Sequence, residues 1–256
     1  MNPIKQIRRL DAMLEQRAER LANNPLPPAN PKPEPNPLPL REPTGDLSDY
    51  VLLKEHPQGL YPDLLIAAQR THLGSNWNNT HPSLEQEGTF MLPLYIFPHF
   101  IRAAEDTQLY DSRGNRLSSR QSKKLFDDIT ERRDPVRSEW LDAKFTKTGT
   151  MREKWMMAYH RFKSNGVLEE VTEPLAACLR KDKTPGIDLA YWLKNPTSQG
   201  LPSQQTPDGS LYYWHPGNGT VARLDAVAGG VVLYCYGGPQ YSDSGLGVRA
   251  AKKITS

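Results

Sequence analysis

Cysteine is almost missing from this chain: Cys178 and Cys235 are the only two in 256 residues. Two are too few for a disulfide scaffold or a four-thiolate zinc site, and they read as reduced, packed thiols. No apolar run approaches the roughly 20 residues that span a bilayer, and no hydrophobic signal core follows the first basic residues. These absences point to a soluble protein with no obvious export route, cytoplasmic or virion-associated. Charge of one sign is also lacking, with 32 Lys and Arg against 29 Asp and Glu. A net charge of +3 argues against a dedicated nucleic-acid binder, which needs a dense basic stripe. Most of the excess lies at residues 111–137, where both signs mix at helical spacing and read as a solvated face.

Catalytic signatures are absent as well. The sequence has no G-x-G-x-x-G or phosphate-binding glycine loop, no H-E-x-x-H and no G-x-S-x-G. The six histidines are scattered without metal-ligand spacing. His72 and His81 flank Trp77 in THLGSNWNNTH, which reads as a polar loop. It is the best metal or sugar candidate outside the C-terminal segment, set against a plain hydrogen-bonded surface loop. No catalytic residue, cofactor or metal ligand is assigned, and the chain is not expected to be an enzyme.

Three segments divide the chain. Residues 1–24 hold a helix at 4–21 with Ile7, Leu10, Leu14 and Leu21 on a short heptad-like seam interrupted by Arg17. It either forms a homo-oligomer with copies of itself or frays and docks elsewhere. Residues 25–44 form a linker whose nine prolines favour polyproline II, reaching roughly 50–60 Å at about 3.1 Å per residue. Residues 45–256 are long enough to bury a full core. There, 50–53 reads as a strand, 63–68 as a buried strand or a helix, and 90–104 as strand or turn giving way to helix near Pro98. Ser118 or Ser119 caps a helix to about residue 133, and 139–145 alternates as a strand with Trp140 and Asp142 opposed to Leu141 and Ala143. Residues 151–163 read as a helix, and 187–193 as a short helix capped near Asp188. Helices with a strand-rich C-terminal half make an α+β architecture.

What the chain does have is concentrated in residues 211–251, which contain no Lys, Glu or Met but are crowded with Tyr, Gly, Asp, Ser and His. Tyr supplies large amphipathic contact area at low entropy cost while Gly, Ser and Asn adapt, the composition of a recognition surface. In 231–236, Val231, Leu233 and Cys235 face a core and Val232, Tyr234 and Tyr236 face away. In 221–226, Ala222, Leu224 and Ala226 alternate with Arg223 and Asp225, and Gly229-Gly230 marks a hairpin between the two strands. A sheet edge with ordinary Tyr packing would share these features.

The segments Tyr213-Trp214-His215-Pro216, Val221-Ala222-Arg223-Leu224, Leu233-Tyr234-Cys235, Pro239-Gln240-Tyr241-Ser242 and Leu246-Gly247-Val248-Arg249 resemble the variable region of target proteins of diversity-generating retroelements. Glu139-Trp140-Leu141-Asp142-Ala143 is a weaker echo of the same family. The resemblance implies a C-type lectin fold whose last strands and loops, about 211–249, display variable residues to a ligand. It also implies error-prone reverse transcription at template adenines, so that an AAC or AAT codon reaches every residue type except Lys, Glu, Gln, Met and Trp. Candidate variable positions are Tyr212, His215, Gly217, Asn218, Asp225, Val227, Gly229, Gly230, Val232, Tyr234, Tyr236, Gly237, Gly238, Tyr241, Asp243 and Gly245, with Tyr213 as a further binding residue. Trp214 and Gln240 lie outside the reachable set and are framework, joined by Pro216, Ala222, Arg223, Cys235, Pro239 and Arg249. The implied partner is an unknown protein or glycan. The closing Gly-Val-Arg is also similar to formylglycine-generating enzymes of the same superfamily, which keeps open an enzyme using Cys178 or Cys235. A structural virion or scaffold component, assembled through the N-terminal helix and linker, is the other alternative.

Overall fold

Strands hold more of the described backbone than helices. The computed structural model describes residues 49–149, 154–178, 183–206 and 209–254, all within the unit Asp46–Ser256. The helix expected at 4–21 and the linker at 25–44 lie outside the described residues. Strands follow in the order β1 (Tyr50–Leu53), β2 (Leu64–Ala67), β3 (Phe90–Met91), β4 (Tyr110–Asp111), β5 (Arg137–Thr148), β6 (Lys154–Phe162), β7 (Leu168–Pro174), β8 (Lys183–Ile187), β9 (Leu211–Trp214), β10 (Thr220–Val227), β11 (Gly230–Gly237), β12 (Leu246–Val248) and β13 (Ala250–Lys253). The helices are α1 (Trp77–Gln86), α2 (Phe97–Glu105), α3 (Ser119–Thr130) and α4 (Leu189–Lys194). The class is α+β. None of these helices is long and apolar enough to cross a membrane.

A five-stranded sheet has the order β3-β13-β2-β1-β4, and an eight-stranded sheet the order β7-β6-β5-β10-β11-β9-β8 with β12 beside β5. One hydrophobic core draws on both sheets and on α2, whose Phe97, Phe100, Ile101 and Ala104 are at most 1% exposed. Into this core point Ala222 and Leu224 from β10 and Val231, Leu233 and Cys235 from β11, the face expected from alternation. Ala228 and Gly229 turn the chain between them, since Val227 pairs with Gly230.

The sheets meet at Arg249, between β12 in one and β13 in the other. Its guanidinium is buried, with Nε 3.0 Å from Glu139 Oε2, Nη2 donating to Asp128 Oδ2 at 2.7 Å, and Nη1 donating to the Ala67 and Ala68 carbonyls. Arg137, 2% exposed, donates to the same two carboxylates at 3.1 and 3.2 Å. Buried carboxylates need such partners, because a lone buried charge is strongly disfavoured. Arg137 therefore does not belong to the solvated face expected for 111–137.

Helix starts follow their caps. Ser118 accepts from Gln121 N in a capping box at α3, and Asp188 accepts from Tyr191 N at α4. Two expectations are corrected. Residues 154–162 form strand β6 instead of a helix: β5 pairs on one side, β7 on the other, and Met157 and Tyr159 alternate into the core. Trp155, Met156 and Tyr159 mimic helical spacing, but two ladders and a buried face outweigh local propensity. The supposed loop at 71–81 contains the start of α1, capped by Asn76, whose side chain accepts from Asn79 N at 2.9 Å. Pro82 inside the helix had obscured it.

Candidate ligand-recognition face

Residues paired across strands point to the same side of a sheet, so register assembles the face of the larger sheet turned away from the core. One row runs Trp140 on β5, Arg223 on β10, Tyr234 on β11 and Trp214 on β9. The next runs Ser138, Asp225, Val232 and Tyr212. Val227, Val232 and Tyr234 form a second hydrophobic cluster here, with Val136, Tyr212 and Trp214 packed against it. A sheet face outside the main core thus carries its own aromatic layer.

Arg223 sits at its centre. Its Nε is 3.0 Å from both carboxylate oxygens of Asp225, and its guanidinium lies 4.3 Å from the Tyr234 ring, 5.3 Å from Tyr241 and 5.9 Å from Trp140. Guanidinium over aromatic faces is attractive, and more so when water is excluded. Arg223 and Asp225 are 4% and 3% exposed, so the pair is interior to the layer. The framework role assigned to Arg223 fits this position.

Helix α1 lies against the same side. Trp140 Nε1 donates to the Ser75 carbonyl at 3.0 Å, Trp77 Nε1 to the Leu141 carbonyl at 2.9 Å, and Asn76 Nδ2 to Gln240 Oε1 at 3.4 Å. Asn78 N donates to the Pro239 carbonyl at 3.4 Å, so the loop after β11 and the start of α1 make one rim.

The candidate residues divide by exposure. Tyr236, at 49%, Asn218 and Gly238 are exposed, as is the framework residue Gln240, while Tyr212, His215, Gly229, Asp243 and Gly245 are half-buried. Tyr213 is a correction: it points into the main core at 0% exposure and offers nothing to a ligand. Asp225, Val227, Val232, Tyr234 and Tyr241 are buried in the aromatic layer and do not reach water as the alternation suggested. Gly217, Gly230 and Gly237 are buried as well.

Space at the glycines is equally uneven. A Cβ on Gly238 meets nothing within 4 Å. One on Gly217 would come within 2.5 Å of the Tyr236 ring, and one on Gly230 within 2.9 Å of the Tyr212 ring, so each is coupled to a neighbouring tyrosine. At Gly245 the obstacle is backbone, the Val136 carbonyl at 2.5 Å, and that position cannot take a side chain without moving the chain. Trp214 and Cys235 occupy supporting positions, the first half-buried and the second wholly inside the core. Burial pushes the Cys235 thiol well above its usual range, with the Cys178 charge adding to the effect.

A second cluster was legible in the sequence only through His81, which belongs to the segment expected as a metal or sugar candidate, whereas Asp142 and His160 carried no such signal. Asp142 stands opposite His160 where the β5–β6 ladder stops at Lys144 and Ala158. At this point β5 is irregular against β10, and the Asp142 backbone turns to Leu92 and Leu94. Irregularities of this kind re-aim side chains. The Asp142 carboxylate replaces the missing ladder acceptor, taking His160 N at 2.7 Å and standing 2.9 Å from His160 Nδ1, both through Oδ2. From α1, His81 brings Nε2 to 3.6 Å from Asp142 Oδ1, and Trp77 packs edge-on against its ring at 4.3 Å. Burial lowers the His81 pKa, whereas the hydrogen bond to Asp142 raises that of His160. His72, the other histidine of the suspected pair, turns away to Glu87 at 3.1 Å.

Comparison of the chain with protein-family models, curated proteins and solved structures finds no significant match.

Proposed function

We propose that this is a ligand-binding protein with a C-type lectin-like head, whose C-terminal strands and loops form a recognition face diversified by a retroelement. The observation that carries the reading is the aromatic layer outside the core, assembled by cross-strand rows from the same tail that the family resemblance marks as variable. Around that layer the tail displays Tyr236, Asn218 and Gly238 to solvent, with His215, Tyr212 and Asp243 partly exposed. A rigid aromatic base with small, polar and Tyr side chains at its rim suits recognition of a protein or glycan surface.

Binding on this reading makes and breaks no covalent bond. The enzyme alternative needs a reactive thiolate, and burial raising the Cys235 thiol opposes that residue in the role, which leaves the alternative to Cys178. The test is a glycan array and a display library of surface proteins, probed with the wild-type chain and with a Tyr212, His215, Tyr236→Ala triple variant. Selected ligands should lose at least about tenfold in affinity, the equivalent of roughly 1.4 kcal/mol, while the thermal midpoint stays within a few degrees. Ligands that bind both proteins equally would place recognition elsewhere.

A further inference from the structure

We propose that His81, Asp142 and His160 form a binding site for a divalent transition cation of the Zn(II) class, bracing α1 against strands β5 and β6. One ligand atom from each residue lies within 4.8 Å of the others. Two donors on a tetrahedral Zn(II), at about 2.0–2.1 Å from the metal, stand roughly 3.3 Å apart. His81 Nε2 stands 3.6 Å from Asp142 Oδ1 and His160 Nδ1 2.9 Å from Asp142 Oδ2, near that separation, and a turn of the carboxylate would bring one oxygen between the two imidazoles. Two imidazoles and a carboxylate make a donor set suited to Zn(II) and neighbouring transition ions, and poorly suited to Ca(II) or Mg(II), which prefer all-oxygen shells.

The residues are held as a metal site requires. Asp142 is 1% exposed, and the backbone N–H of His160 fixes its carboxylate. His81 Nε2 is buried and has no hydrogen-bond partner, although it stands beside a carboxylate oxygen. A buried ring nitrogen left without a partner calls for an explanation, and a cation between Nε2 and Oδ1 supplies one. Trp77 orients the His81 ring, and is itself anchored through Nε1 to the Leu141 carbonyl. Glu170 on β7 stands opposite His160 on β6 and is exposed, adding negative charge near the cluster. On binding, the cation takes the Nδ1 lone pair of His160 in place of the Nδ1–H···Oδ2 hydrogen bond, and the ring hydrogen moves to Nε2 by exchange with solvent, so that the bound imidazole stays neutral.

The experiment is titration of the full-length, metal-stripped protein with Zn(II) by calorimetry, and with Co(II) by visible absorption. About one equivalent should bind, Co(II) should show the intense d–d bands of a tetrahedral site, and saturating Zn(II) should raise the thermal midpoint. His81→Ala and His160→Ala should each weaken Zn(II) binding by at least about tenfold. His81 Nε2 makes no hydrogen bond whose loss would strand a partner, so circular dichroism of His81→Ala should match wild type. His56→Ala is the control, because His56 and His99 form a separate ring pair at 4.8 Å, and it should leave binding unchanged. Absence of Zn(II) binding by the folded wild type, or equal binding by the His81 and His160 variants, would overturn the proposal. Either result leaves ligand recognition by the tail untouched, since none of these three residues is a candidate contact there.

Discussion

At the residue scale, the outer layer depends on Arg223 keeping its partner. Asp225 supplies the charge, and Tyr234, Tyr241 and Trp140 supply the faces around the guanidinium. Asp225→Ala strands a cation that is 4% exposed, and should cost about 3–5 kcal/mol in urea unfolding. Replacing both members by apolar residues of similar volume, Arg223→Met with Asp225→Leu, should recover most of that loss, because no charge is then left buried. A cost below about 0.5 kcal/mol for the single variant would show that the pair is solvated. On the proposed reading Asp225 makes a poor variable position, because almost any substitution there unpairs the buried Arg223.

Among the elements, strands and capped helices were legible where the signal is local. Alternation at 231–236 marked Val231, Leu233 and Cys235 as core, and Ser118 and Asp188 marked helix starts. Strand β6 was hidden because Trp155, Met156 and Tyr159 also fit a helical stripe, and only its ladders with β5 and β7 decide between the periods. The outer face was half legible. Alternation put Tyr234 and Tyr236 on one side, but whether a ring there meets water depends on cross-strand neighbours 11 and 20 residues away in sequence, Arg223 beside Tyr234 and Trp214 on its far side. Of the His81, Asp142 and His160 cluster only the His81 segment stood out, because Asp142 and His160 meet through the register of β5 and β6 and α1 packs onto them from elsewhere in the chain. The loop after β11 offers a sharp test of which glycines tolerate variation. Gly238→Ala should stay within about 0.5 kcal/mol of wild type, since its Cβ meets nothing. Gly245→Ala should cost about 1–3 kcal/mol, because its Cβ would press on the Val136 carbonyl. Equal stability of the two in denaturant melts would remove the distinction.

For the whole molecule, Arg249 and Arg137 join the two sheets and α3 through Glu139 and Asp128. Burial raises both carboxyl groups, but the Arg137 and Arg249 charges outweigh it and hold each below its ordinary range. A carboxylate with a depressed native pKa contributes stability that is complete above its unfolded value, near 4, and is lost as pH falls toward the native value. Acid melts should therefore show stability falling below about pH 4.5, with Glu139→Gln flattening that fall while lowering stability at neutral pH. An unchanged acid limb in that variant would mean that other carboxylates govern acid unfolding. A unit joined in this way can change its rim without losing its frame, as the proposed function requires. The most direct measurement is sequencing of the 3′ end of the gene and its flanking DNA across many individuals of the source population. Substitutions should concentrate at Tyr212, His215, Asn218, Tyr236, Gly238 and Asp243, mirrored by adenines in a nearby near-copy, while Tyr213, Asp225 and Gly245 stay constant. An invariant tail with no near-copy, or changes spread through the buried layer and core, would contradict the account.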